Sequence, residues 1–290
     1  MLHMRRARLV CAALTFTFVP AILLAHPGSG IVVDRLGQVY FVDTGSGLWK
    51  IDTHGTLVKI TAPRFHWLAL DAEDRFAGAR LPSGSMGEVT RVGSRPTLLL
   101  ASDYPLAIGR DGSLYYPSRR SDGAALDLLR LEPAGRSSTV VTVPLPYING
   151  LAAGPDGSLY FTEDRAIRRV GAKGKLSTVV DHVALSACAR IPGNEPNDPL
   201  LRGLAVDSTG AVFVAASGCG SLLKVTPDGQ VSTVLQLEGP WSPTAIALFH
   251  GDLYVLEYLH TDVEDRLQWL PRVRKISANG KSTIIASVTR

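Results

Sequence analysis

The chain has 290 residues, 46% of them hydrophobic and 19% charged, a balance that describes a globular protein with a sizeable core and excludes extended disorder. Its formal net charge of +4 comes mainly from the first residues: without the three arginines of a predicted leader, 27 basic residues face 26 acidic ones. Such a near-neutral chain gives no electrostatic basis for a nucleic-acid binder.

That leader is the first predicted element. Arg5, Arg6 and Arg8 form a positive segment, and "LVCAALTFTFVPAILLA" (9–25) follows without a charge. This is the pattern of a secretory signal peptide over residues 1–25, with cleavage after Ala25 or after Ala21. The alternative is an uncleaved membrane anchor, but the run is short for a span and contains Pro20. The expectation is export to the periplasm or the extracellular space, with no stable membrane insertion once the leader is gone. Cys11 leaves with it. Cys188 and Cys219 remain and are expected to pair in an oxidising compartment; two reduced, buried thiols are the other reading.

From residue 30 onward the sequence repeats. "GIVVDRLGQVYFVDTGSGLWKIDTHGTLVKIT" (30–61) sets the template. A weaker copy follows at 66–101, then others at 105–141, 149–180, 202–235 and 243–287, the clearest being "RGLAVDSTGAVFVAASGCGSLLKVTPDGQVSTVL". Each unit has four short apolar runs. Turns such as Gly-Pro-Asp-Gly (154–157) join the first pair, and turns such as Thr-Pro-Asp-Gly (226–229) join the second. Glycine accepts positive φ in such turns, and runs such as "SLYFTE" are short and β-rich. Six repeats of four antiparallel strands predict an all-β, six-bladed β-propeller, with blades near 30–62, 66–101, 105–143, 149–182, 202–236 and 243–288.

The units resemble NHL repeats and the gluconolactonase/regucalcin-like (SMP-30) propellers, through Asn-Gly-Leu (149–151) followed by a Pro-Asp-Gly turn. The resemblance runs from about residue 28 to the C-terminus. It implies a divalent cation, held in that family by a Glu before the first inner strand, two Asn and an Asp. Of these positions Asn149 keeps a ligand; Ser29, His66 and Arg202 stand at the other three. A hard cation such as Ca²⁺ wants several oxygens, and Arg202 would repel it. A Zn²⁺ site needs three or four ligands, and only His66 and His260 approach the same face. A divalent cation (Ca²⁺ or Zn²⁺) is thus an implication of the resemblance that these residues support poorly.

The chain path sorts the loops. The Asp-Gly-type turns collect on one face. The inter-blade connectors and the loops between second and third strands collect on the other, called the top, and vary in length there. Function sits on such loops. One position per blade at the start of the inner strand gives Ser29, His66, Tyr104, Asn149, Arg202 and Pro243, and ends of second strands add Asp43, Glu163 and Glu257. His66 and Arg202 are the candidate catalytic residues, in keeping with the histidine base of related propeller lyases. Ser29, Tyr104, Asn149, Glu163, Glu257 and Trp269 are the candidate ligand contacts, Trp269 with Trp241 as a lid. Each has a plainer reading: His66 packed structurally, Asn149 satisfying a backbone group, residues 257–275 a solvated hairpin. The sequence points to a monomeric propeller that binds a small polar or anionic molecule, or a protein partner, without necessarily catalysing a reaction. The alternative is a lactonase-type hydrolase or lyase with an altered metal site.

Overall fold

The computed structural model describes residues 27–290 apart from 61–64, 84–87, 94–96, 122, 146, 164, 186–187, 189–196 and 261–267. It is a six-bladed β-propeller. Blade one is β1 (Ile31–Val33), β2 (Val39–Asp43), β3 (Gly47–Ile51) and β4 (Leu57–Ile60). Blade two holds β5 (Trp67–Asp71), β6 (Val89–Val92) and β7 (Leu98–Ser102). Blade three is β8 (Ala107–Ile108), β9 (Leu114–Arg119), β10 (Leu126–Leu131) and β11 (Ser137–Val143). Blade four is β12 (Gly150–Ala153), β13 (Leu159–Glu163), β14 (Ala166–Val170) and β15 (Leu176–Val180). Blade five is β16 (Leu201–Val206), β17 (Val212–Ala216), β18 (Ser221–Val225) and β19 (Val231–Gln236), with a 3₁₀ turn at Ser217–Cys219. Blade six is β20 (Trp241–Phe249), β21 (Asp252–Leu259), β22 (Pro271–Ile276) and β23 (Ser282–Ser287).

Local chemistry makes the hairpins. Gly210 sits at φ 84° in the turn from β16 to β17, a conformation that side chains resist. Asp207 opens that turn, and its Oδ1 accepts from the amides of Thr209 (2.8 Å) and Ala211 (3.0 Å). The second strands are buried along most of their length, whereas the fourth strands face solvent. The motif glycines have a packing reason. A Cβ on Gly150 would lie 2.5 Å from the Arg202 carbonyl oxygen, and one on Gly203 would lie 2.8 Å from that of Thr244. Inner strands of neighbouring blades converge there too closely for any side chain.

The blades bury their faces against one another, as a ring of twisted sheets must. Phe41, Leu48, Leu256, Tyr258 and Val288 share one core across the junction of the first and last blades. Blade two departs from the four-run repeat: its described strands lie in the order β5–β7–β6, so Leu98–Ser102 pairs directly with the inner strand. The segment after β5 turns instead. The Asp71 carboxylate accepts from the Phe76 amide at 2.7 Å, and the buried Phe76 ring anchors the turn.

Candidate functional site

Hydrogen bonds tie the starts of the inner strands to one another and to neighbouring strand ends. The Ser29 amide donates to the His66 carbonyl at 2.7 Å, and the His66 amide donates to the Ser102 carbonyl at 3.1 Å. On the far side, the Thr162 hydroxyl donates to the Arg202 carbonyl at 2.9 Å. The Asn149 amide donates to the Thr162 carbonyl at 2.9 Å, and its side chain stays half-buried at the rim. Ser29 and His66 are buried. Tyr104 stands beside the mouth, where it lines a hollow of about 30 Å³ with Pro105, Pro117, Tyr147 and Ile148.

His66 has a partner that sequence reasoning missed. Its Nδ1 lies 2.9 Å from the Asp103 carboxylate. The two are 37 residues apart, and Asp103 directly precedes Tyr104 in the connector to the third blade. A carboxylate on one ring nitrogen fixes the orientation of the imidazole, the arrangement a general base requires.

Arg202 sits where β16 bulges against β17, in the register shift between Leu201 and Leu204. Its Nη1 donates a long 3.4 Å bond to the Pro27 carbonyl. Its Nε is shut off from solvent with no hydrogen-bond partner among the described residues. Burial pushes the guanidinium down to about 10, and only Tyr258 opposes the change. His260, just past the end of β21, lies near enough to feel this charge. Burial first, and Arg202 second, lower its imidazole to about 4. Its Nε2 is likewise buried without a partner among the described residues.

Several expected contacts are placed elsewhere. Glu257 does not reach the mouth: it is fully buried in blade six, with Arg272 and Arg274 each 2.5 Å away. Its register explains this, because β21 sets it opposite Arg272 on β22. Glu163 is paired with Arg168, which also binds Asp181 at 2.8 Å. Asp43 is held by Arg290. Trp269 packs into the core shared by blades one and six, and Arg272 stacks 3.6 Å from the Trp241 ring. The Trp269 indole is core rather than a lid. Cys188 and Cys219 form a disulfide that ties the connector before blade five to the 3₁₀ turn after β17.

A family model described as the SMP-30/gluconolactonase/LRE-like region matches residues 107–257, just over half of the chain. The chain belongs to the SMP-30/gluconolactonase/LRE-like family. A 6-deoxy-6-sulfogluconolactonase from Pseudomonas putida is 31% identical over 160 residues, which cover 53% of this chain and 50% of that protein. The chain thus spans about half the length of that curated relative. Among solved structures, a luciferin-regenerating enzyme aligns with a TM-score of 0.56 at 16% identity, over 87% of this chain and 91% of its own. The calcium-binding protein regucalcin from Agrobacterium tumefaciens aligns at 0.53 and 16%, over 79% and 81%. At these identities the two structures speak for the fold.

The cation that the SMP-30/gluconolactonase resemblance implies can be tested against the residues in place. Arg202 brings a positive charge to one of its four positions. His66 is engaged with Asp103 through Nδ1, and Ser29 is buried. No group of three or more His, Cys, Asp or Glu among the described residues is arranged to hold a metal. Asn149 alone does not make a hard-cation site, so the donor set does not fit a divalent cation. No helix among the described residues is long and apolar enough to cross a membrane.

Proposed function

We propose that this propeller is exported and binds a small anionic molecule at the top mouth, acting as a monomer. One observation supports the reading: Arg202, near the start of an inner strand, is enclosed, and no carboxylate among the described residues balances it. An uncompensated buried charge costs several kcal/mol, roughly, and a counter-anion removes that cost. The leader-like segment and the Cys188–Cys219 disulfide support a place outside the cytoplasm. The near-neutral remainder of the chain argues against nucleic acid as the partner.

Hydrolysis of an anionic sugar lactone is the second reading. It is favoured by the match to a sulfogluconolactonase and by the His66–Asp103 pair. In it, His66 takes a proton from water and Asp103 steadies the ring, while Arg202 orients the anionic end of the substrate.

Calorimetric titration with a panel of sugar acids, sulfonates and their neutral counterparts tests both. The expected result is saturable binding of anionic members that Arg202→Ala weakens by at least about thirtyfold, the loss of one buried charge-assisted contact. Equal affinity for neutral members, or no effect of Arg202→Ala, would sink the reading. Turnover of a lactone by wild type but not by His66→Asn would favour the hydrolase.

A further inference from the structure

Several other part-buried arginines of this propeller have acids against them, while Arg91 is held by two backbone carbonyls. Arg272 and Arg274 share Glu257, Arg290 meets Asp43, and Arg168 meets Glu163. Arg202 is the exception among these, and its one described side-chain bond is to a backbone carbonyl at 3.4 Å. That distance lies beyond the usual range for an N–H donor to a carbonyl. His260, from blade six, is near enough for the Arg202 charge to act on its ring, and its amide is tied to the Pro240 carbonyl at 2.8 Å. Arg202 Nε and His260 Nε2 are therefore two nitrogens from neighbouring blades, both buried and both without a partner among the described residues. Buried polar atoms are nearly always satisfied in folded proteins, and one left open calls for an explanation such as a bound ion or water. Both residues are half-buried as whole residues.

We propose that Arg202 and His260 form a two-residue clamp for an oxyanion group — carboxylate, sulfonate or phosphate — at the position where the family resemblance implies a cation. This deepens the top-face reading and rests on it. The guanidinium supplies the charge and a fork of N–H donors. The imidazole, with its proton on Nε2, supplies one further donor and adds no second positive charge that would have to be buried. The site's charge preference is inverted relative to the cation set. A divalent cation meets Arg202 and is repelled, while an oxyanion meets one full charge and two unsatisfied donors. The clamp reads a terminal group and leaves the rest of the ligand to Asn149 and the rim.

Sulfate and inorganic phosphate serve as probes, titrated by calorimetry into the purified full chain at low ionic strength. Wild type is expected to bind sulfate saturably. Arg202→Ala and His260→Ala should each weaken it about tenfold or more, the effect of removing a donor to a charged group. Arg110→Ala, which removes the same charge from an exposed turn, should leave binding unchanged. Near-ultraviolet dichroism verifies folding, and Arg202→Lys, keeping charge but losing the fork, replaces Arg202→Ala if that variant does not fold. Wild-type affinity in His260→Ala would overturn the clamp while leaving the top-face reading standing. Wild-type affinity in both variants would overturn the two together. Saturable Ca²⁺ binding by wild type, abolished by Asn149→Ala, would overturn the inversion of charge preference.

Discussion

The Tyr258 hydroxyl of the last blade donates a 2.7 Å hydrogen bond to the Val42 carbonyl of the first. Both residues are buried, and the bond spans the junction where the two chain ends of the ring meet. Every blade is built from consecutive strands, so no shared sheet closes this ring. Closure rests on side chains such as this one. Tyr258→Phe removes the bond and keeps the ring volume. It is expected to lower stability by about 1–2 kcal/mol, the usual range for losing a buried hydrogen bond. Urea denaturation checks this; an unchanged midpoint would show that packing alone closes the ring.

Glu257 makes a second prediction because it serves two arginines at once. Glu257→Gln leaves Arg272 and Arg274 with a neutral partner in a mostly buried setting. Breaking one side of a buried ion pair costs about 3–5 kcal/mol, and here two cations are left. The expected outcome is a large fall in the denaturation midpoint with sulfate affinity retained at temperatures where the variant is folded. Loss of affinity without loss of stability would return Glu257 to the site.

The Cys188–Cys219 bond closes a loop across 31 residues of sequence separation. A crosslink of that span contributes about 3.7 kcal/mol through the unfolded chain. Paired Cys→Ser substitution, or reduction of the wild type, should lower the unfolding free energy by a comparable amount and the melting temperature with it. Equal melting of the oxidised and reduced protein would count against this contribution.

The fold was legible in the sequence because turn chemistry repeats. Asp207 and Gly210 announce a hairpin from local residues alone, and five more units carry the same punctuation in some form. The place of Arg202 in an inner strand was legible for the same reason, since it directly precedes the Gly-Leu of the repeat. The partners of the polar residues were not. Glu257 meets Arg272 and Arg274 only once the register across the intervening loop is known, and no turn signal sets that register. His66 meets Asp103 because one blade's connector returns beside the start of its own inner strand, a juxtaposition 37 residues long that no spacing rule encodes. Trp269 reads as a lid in a long loop and packs as core, because an apolar ring beside the closure gains more by burial than by exposure.

His260 yields the prediction that bears most directly on the mouth. Burial and Arg202 hold its imidazole at about 4, against an ordinary value of 6.5. Near neutral pH the ring is uncharged in both the folded and unfolded chain and contributes nothing to pH dependence. Between these two values the unfolded chain binds the proton and the folded chain resists it, so stability falls as the solution is acidified through that window. The loss approaches about 3 kcal/mol once the folded state is also protonated, at about 1.4 kcal/mol for each tenfold difference in proton affinity between the two states. Carboxylates add their own acid sensitivity, so the informative quantity is wild type compared with His260→Gln. The gap in unfolding free energy between the two should move against wild type from about pH 7 to about pH 4.5. Saturating sulfate should narrow that change, because an anion beside Arg202 offsets the charge that opposes protonation. A gap that stays constant across the range would show that His260 titrates normally and is not enclosed beside Arg202. A change that sulfate leaves untouched would place the anion away from both residues.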